Sequence, residues 1–125
     1  MEHAVSAFYP EVPHGAGLVS LSVGYFNYLA ERYPDKRFVD MAIAMGEDIS
    51  GLSTNEKPFA FIKALKRLIK SVGLEDERLS SYGVKKDDFK SLAENSFHAM
   101  GGLYDVTPVK LSLDDVIAIY AKSYR

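Results

Sequence analysis

Apolar residues recur along this chain at intervals of three and four, in runs separated by short polar breaks rich in Gly and Pro. In the first long run Leu18, Leu21, Tyr25, Tyr28 and Leu29 share one helical face, with Ser20, Ser22 and Asn27 between them. Pro34 stops it, so the spacing predicts a helix over 16–33. Asp35 is a suitable N-cap for a second helix carrying Phe38, Met41, Ala42 and Met45, with Gly46 closing it. Residues 47–55 are polar, contain Gly51 and read as a loop. Pro58 suits the first turn of a third helix, with Phe61, Ile62, Leu65, Leu68, Ile69 and Val72 on its apolar face and Gly73 at its end. A short turn around Leu79, Tyr82 and Gly83 precedes a fourth helix over 86–100, with Phe89, Leu92, Ala93, Phe97 and Met100 on one face and Gly101-Gly102 closing it.

Pro108 keeps 103–111 extended, and Ser112 with Asp115 three residues on forms a capping box for a last helix bearing Val116, Ile119 and Tyr120. Residues 1–14 have no clean period, and Pro10 and Pro13 forbid a continuous helix through them. No alternating apolar–polar run is long enough to predict a sheet. The expected fold is all-α, about five helices in a bundle-like packing, forming a single domain over 1–125.

Composition narrows the function more than the fold. At 125 residues the chain buries roughly two-thirds of its unfolded surface, enough for an ordinary core. A net charge of −2 gives no electrostatic case for nucleic acid or an anionic membrane as partner. With no cysteine, disulfides, zinc fingers, iron–sulfur clusters and thiol catalysis are excluded. The N-terminus lacks a basic lead and an apolar stretch, and no apolar run approaches membrane-spanning length, so a cytoplasmic location is the expectation.

The candidate chemistry lies in MEHAVSAFYPEVPHGAGL, residues 1–18, which hold two of the three histidines. His14 stands where the first predicted helix opens, followed by Gly15-Ala16-Gly17. Neutral imidazole is a common ligand for iron and zinc, and the free N–H groups of a helix start attract an anion or a substrate oxygen. A single histidine does not make a metal site, so the residues alone equally allow His14 to hydrogen-bond a helix end. His3 stands eleven residues earlier, a spacing that suits no single-helix ligand pair, and only a folded turn brings the two together. Glu2 reads as a terminal charge rather than a general base, and His98, between Phe97 and Ala99, as a structural or surface histidine. Lys57, Lys63, Lys66, Arg67 and Lys70 read as the solvated side of the third helix rather than an anion-binding face. There is no GxGxxG, no GxxxxGK[ST] and no nucleophile elbow.

Residues 1–18 resemble the metal-site signature of the iron-containing (group III) alcohol dehydrogenases. LYDVTPVKLSLDDVIAIYAKSY resembles that family's C-terminal helix, and AFIKALKRLIKSVGLEDERLSSYGVKKDDFKSLAENS follows its helix–turn–helix pattern. The resemblance implies an enzyme with an N-terminal α/β domain that binds NAD(P) and a C-terminal helical domain that supplies most ligands of a divalent metal, Fe²⁺ or sometimes Zn²⁺. It implies that His14 is the last metal-binding histidine. His3 would be the catalytic-site histidine beside the metal and near the nicotinamide, and Gly15 and Gly17 the small residues opening the next helix. The family's remaining ligands, an Asp and two His, would fall before Met1, as would the whole nucleotide-binding domain.

The expected function is accordingly that of a truncated iron-dependent alcohol dehydrogenase. The parent activity would be NAD(P)-dependent interconversion of a primary alcohol and an aldehyde, with weak or no metal and NAD(P) binding and no catalysis by this chain alone. The expected partner is a nucleotide-binding domain or chain. The competing expectation is a stand-alone helical module that kept the fold and lost the chemistry, and self-associates through an exposed face around His3, Phe8, Tyr9 and His14.

Overall fold

The polar breaks of the sequence pattern become helix boundaries in the computed structural model, which describes residues 1–125. In chain order the helices are α1 (Glu2–Phe8), α2 (His14–Arg32), α3 (Lys36–Ala44), α4 (Lys57–Ser71), α5 (Phe89–Met100), the single turn α6 (Gly102–Asp105) and α7 (Leu113–Ser123). Two 3₁₀ turns, Leu79–Tyr82 and Lys86–Asp88, lead into α5, and there are no strands. The five expected helices are α2, α3, α4, α5 and α7, and their signals act as the pattern requires. Asp35 accepts the Arg37 backbone N–H at 2.8 Å as the N-cap of α3. Its carboxylate is also gripped by the Arg37 guanidinium, and these hydrogen bonds lower its pKa to about 2. Gly46 follows the α3 C-cap at φ +83°, the left-handed conformation that ends many helices. The Ser112–Asp115 capping box is formed in both directions.

Two expectations are corrected. Residues 1–14 are not without a helix, because Pro10 and Pro13 bar only a helix that runs through them. Tyr9 leaves the helical region at φ −131°, one residue before Pro10, and α1 occupies the seven residues ahead of it. Nor do Gly101 and Gly102 close α5 into an extended segment. Gly101 stays helical at φ −54° and ψ −39°, so α6 follows directly, and the chain leaves the helical path at Val106. Tyr104 holds that extra turn in place, its ring stacked on Phe97 at 4.2 Å and its hydroxyl 2.8 Å from Ser96 Oγ.

The residues fall into two compact units, Met1–Gly24 with Glu77–Arg125, and Tyr25–Asp76. In the first, α5 packs against both α1 and α7. Its core is Val5, Leu79, Leu92, Val116, Ile119 and Tyr120, all fully buried. Each side chain of this size contributes roughly 1.5–3 kcal/mol on burial. Tyr120 stacks on Phe89 at 5.9 Å, and its hydroxyl donates to the Met1 carbonyl at 2.7 Å, tying α7 to the start of α1. Tyr9 ties the other end of α1, donating to Asp88 and accepting the Lys85 N–H at 3.1 Å. Gly24 marks a close approach of α2 to α7. A Cβ there would lie 2.9 Å from the backbone N and Cα of Ser123.

In the second unit α3 packs on α4. Phe61 meets Phe26 edge-on at 5.2 Å and Phe38 at 6.1 Å, and Ala42, Ala60 and Ala64 are buried in the same unit. The basic residues of α4 are largely at the surface, as the pattern predicts. Two of them also bind structure: Lys63 (3.3 Å) and Arg67 pair with Glu47, and Arg67 donates to the Met45 carbonyl at the end of α3. No helix is long and apolar enough to cross a membrane.

Two predictions follow from this packing. Burial, chiefly, raises the pKa of Tyr120 far above its usual value near 10. The neutral hydroxyl therefore contributes fully below about pH 10, and stability falls as pH rises past that point, because only the unfolded chain ionises there. Tyr120→Phe lowers stability at neutral pH by about 0.5–1.5 kcal/mol for the lost hydrogen bond. The variant also shows a flatter loss of stability above pH 10 in urea titrations. Separately, Gly24→Ala gains about 1 kcal/mol of helix propensity but forces backbone apart, at about 1–3 kcal/mol. The net effect is destabilising, whereas Gly15→Ala, with nothing within 4 Å of the added Cβ, is neutral or stabilising in thermal unfolding.

Candidate metal centre at the turn between α1 and α2

Helix α1 turns its Ala4 and Val5 side into the core, and Glu2 goes with them, only 6% exposed. Ser6, one turn on, donates its hydroxyl to Glu2 Oε1 at 2.7 Å. The chain then reverses. Tyr9 N–H closes α1 on Val5 O at 2.8 Å, Val12 N–H bonds Tyr9 O at 3.0 Å, and the Val12 side chain is buried as the anchor of the turn. Pro13 ends it, its carbonyl accepting the Gly17 N–H at 3.0 Å as α2 begins. The reversal sets the first residue of α2, His14, beside the first turn of α1.

The folded turn thus brings His3 and His14 together. Their rings stack nearly parallel, 10° apart in plane, with centroids 5.4 Å apart. Glu2 joins them, and one ligand atom from each of Glu2, His3 and His14 lies within 4.8 Å of the others. Nδ1 of His14 lies against Oε2 of Glu2, an oxygen that is itself buried and makes no hydrogen bond. A buried carboxylate is costly unless paired, so the Ser6 hydroxyl and the His14 ring account for its tolerance here. Gly17 explains the space: a Cβ at that position would lie 2.7 Å from Glu2 Oε1 and 2.9 Å from its Cγ. Both histidines are exposed, His14 with 55% of its side chain open.

These residues suit a divalent transition metal. Imidazole nitrogen and carboxylate oxygen are the donors that iron and zinc accept, and the orphaned buried Oε2 marks the cluster as polar ground rather than packing.

Reading Glu2 as a terminal charge misses its part in the cluster. The signals that point to it are Ser6 at the i+4 position and a glycine at 17 within a helical run. Tyr9 is engaged with Asp88 and Lys85 rather than free on an open face. Phe8 (45%) and Leu18 (49%) are exposed, and His98 sits at the surface of α5.

Known proteins match this chain along nearly its whole length. Residues 1–124 match the Fe-containing alcohol dehydrogenase family, C-terminal part. Lactaldehyde reductase of Escherichia coli K12 is 30% identical over 122 residues, covering 96% of this chain and 30% of that enzyme. 1,3-Propanediol dehydrogenase of Klebsiella pneumoniae is 32% identical over 126 residues, covering 99% of this chain and 31% of that enzyme. Among solved structures, an archaeal alcohol dehydrogenase from a Red Sea brine pool superposes with a TM-score of 0.83 at 30% identity, over 98% of this chain and 32% of its own. A 1,3-propanediol oxidoreductase superposes with a TM-score of 0.84 at 29% identity. The chain spans about a third of the length of these relatives and corresponds to their all-helical part. It belongs, on sequence and on fold, to the iron-containing alcohol dehydrogenase family.

Proposed function

We propose that this chain supplies the metal-facing helical part of an NAD(P)-dependent alcohol dehydrogenase that interconverts a primary alcohol or diol and an aldehyde. The observation that carries the reading is the grouping of His14, His3 and Glu2 at the head of α2, in a chain of this family. The relatives' names support the substrate class: a lactaldehyde, a propanediol and, in Clostridium acetobutylicum, butanol with NADH. His14 is the ligand, and His3, stacked on it, lines the site on the side open to solvent and substrate. Buried Glu2 keeps the His14 ring from turning, and the buried Val12 anchors the turn that brings the two helices together. When bound, the metal would supply Lewis-acid polarisation of the alcohol or aldehyde oxygen. The dinucleotide is a poorer fit to these residues, whose sequence carries no glycine-rich phosphate cradle, and no step on this chain is assigned to it.

Metal binding tests the proposal directly. Zn²⁺ or Fe²⁺ titrated into the purified chain binds weakly at one site, and His14→Ala abolishes that binding while leaving the helical circular-dichroism signal intact. Unchanged uptake by the variant rejects His14 as the ligand. The same chain with Fe²⁺, NAD⁺ or NADP⁺, and butanol or 1,3-propanediol gives no rise in reduced-cofactor absorbance. Turnover there would show that these 125 residues suffice.

The alternative of a non-catalytic module finds support in the exposed apolar residues. Leu18 lies one turn beyond His14 on the same side of α2, and Phe8 ends α1. A face of this kind suits either a nucleotide-binding domain or a second chain. Sedimentation velocity distinguishes them: concentration-dependent association, lost in Leu18→Ser, favours the self-associating module, and a constant monomer counts against it.

A further inference from the structure

A histidine has two ring nitrogens, and the hydrogen bond made by one decides whether the other has its lone pair free for a metal. In His14, Nδ1 lies against Glu2 Oε2. A carboxyl oxygen facing a ring nitrogen favours the tautomer with the proton on that nitrogen, which in a neutral ring leaves the lone pair on Nε2. The surroundings fix Glu2 firmly in this task. Its side chain is 5% exposed against 55% for His14, its Oε1 takes the Ser6 hydroxyl at 2.7 Å, and its Cγ and Oε1 fill the space that Gly17 leaves open. One carboxyl oxygen thus takes the Ser6 hydroxyl, while the other, which no hydrogen bond satisfies, lies against His14 Nδ1.

We propose that Glu2 is a positioning residue for His14. Held between Ser6 and Gly17, its carboxylate keeps Nδ1 as the donor, sets the ring orientation and presents Nε2 as the metal-binding atom. Its functional meaning rests on the reading of His14 as a ligand, but the contact itself can be tested on the metal-free chain. Such carboxylate–histidine pairs raise ligand basicity, and losing the outer partner typically weakens metal binding about 10–100-fold. Gly17 is part of the same device, since any side chain there displaces the carboxylate.

The test is long-range ¹H–¹⁵N NMR of the imidazoles in the metal-free chain, above about pH 8, where histidine is neutral. The expected result is a protonated Nδ1 and an unprotonated Nε2 for His14. Glu2→Ala returns His14 to the Nε2–H form that free histidine prefers, and raises the Zn²⁺ dissociation constant about 10–100-fold. Glu2→Gln, isosteric and retaining an acceptor oxygen, keeps Nδ1–H and falls between the two in Zn²⁺ affinity. An Nε2–H form in the parent chain overturns the proposal and needs no variant to fold. So does an unaltered tautomer in Glu2→Ala, or a loss in Glu2→Gln as large as in Glu2→Ala, which would make Glu2 itself a ligand. Failure of the ligand reading is separable: His14→Ala would then leave Zn²⁺ uptake unchanged while the tautomer result stands.

Discussion

A carboxylate taken out of water must find partners, and at Glu2 that requirement organises the head of the molecule. Only 6% exposed, it needs the Ser6 hydroxyl and the His14 ring beside it. To be beside it, His14 must begin α2 where the first turn of α1 passes. That placement demands the tight Tyr9–Pro13 reversal and a helix surface bare enough at Gly17 to take the acid. The stack of His3 on His14 belongs to the same arrangement. One buried carboxyl group therefore links a turn, a glycine and two imidazoles.

Support for this corner comes from the same unit. Tyr120 donates to the Met1 carbonyl, and Tyr9 engages Asp88 and the Lys85 N–H, so α1 is fastened at both ends by phenols. A seven-residue helix has little stability of its own, because nucleation consumes most of what a few hydrogen bonds return. Its persistence here is a tertiary effect, provided by packing on α5 and by those two hydroxyls.

That dependence explains which parts of the structure were legible in the sequence. Long helices announce themselves through many turns of periodic apolar residues, and α2, α3, α4, α5 and α7 are where the spacing puts them, with Asp35, Gly46 and Ser112 acting as caps. Helix α1 offers barely two turns, too few for a period to emerge beside two prolines. The Gly101-Gly102 pair carries the usual mark of a helix end, yet Tyr104 packing on Phe97 and bonding Ser96 overrides it. At the candidate site, His14 stands out in the sequence by its place before a glycine-flanked helix. Glu2 does not, because an acidic residue near a chain end is normally solvated and only the fold reveals that this one is enclosed.

The close fit of Glu2 against Gly17 also bears on how such sequences can diverge. The gap between the two backbones holds one carboxylate or one methyl group, but not both. Positions 2 and 17 are therefore a steric couple rather than two independent sites. A lineage that gains a side chain at the second must first shorten the first, and in doing so gives up the partner of its histidine. Glycine at 17 is thus kept by a residue fifteen positions away, not by the backbone it sits in.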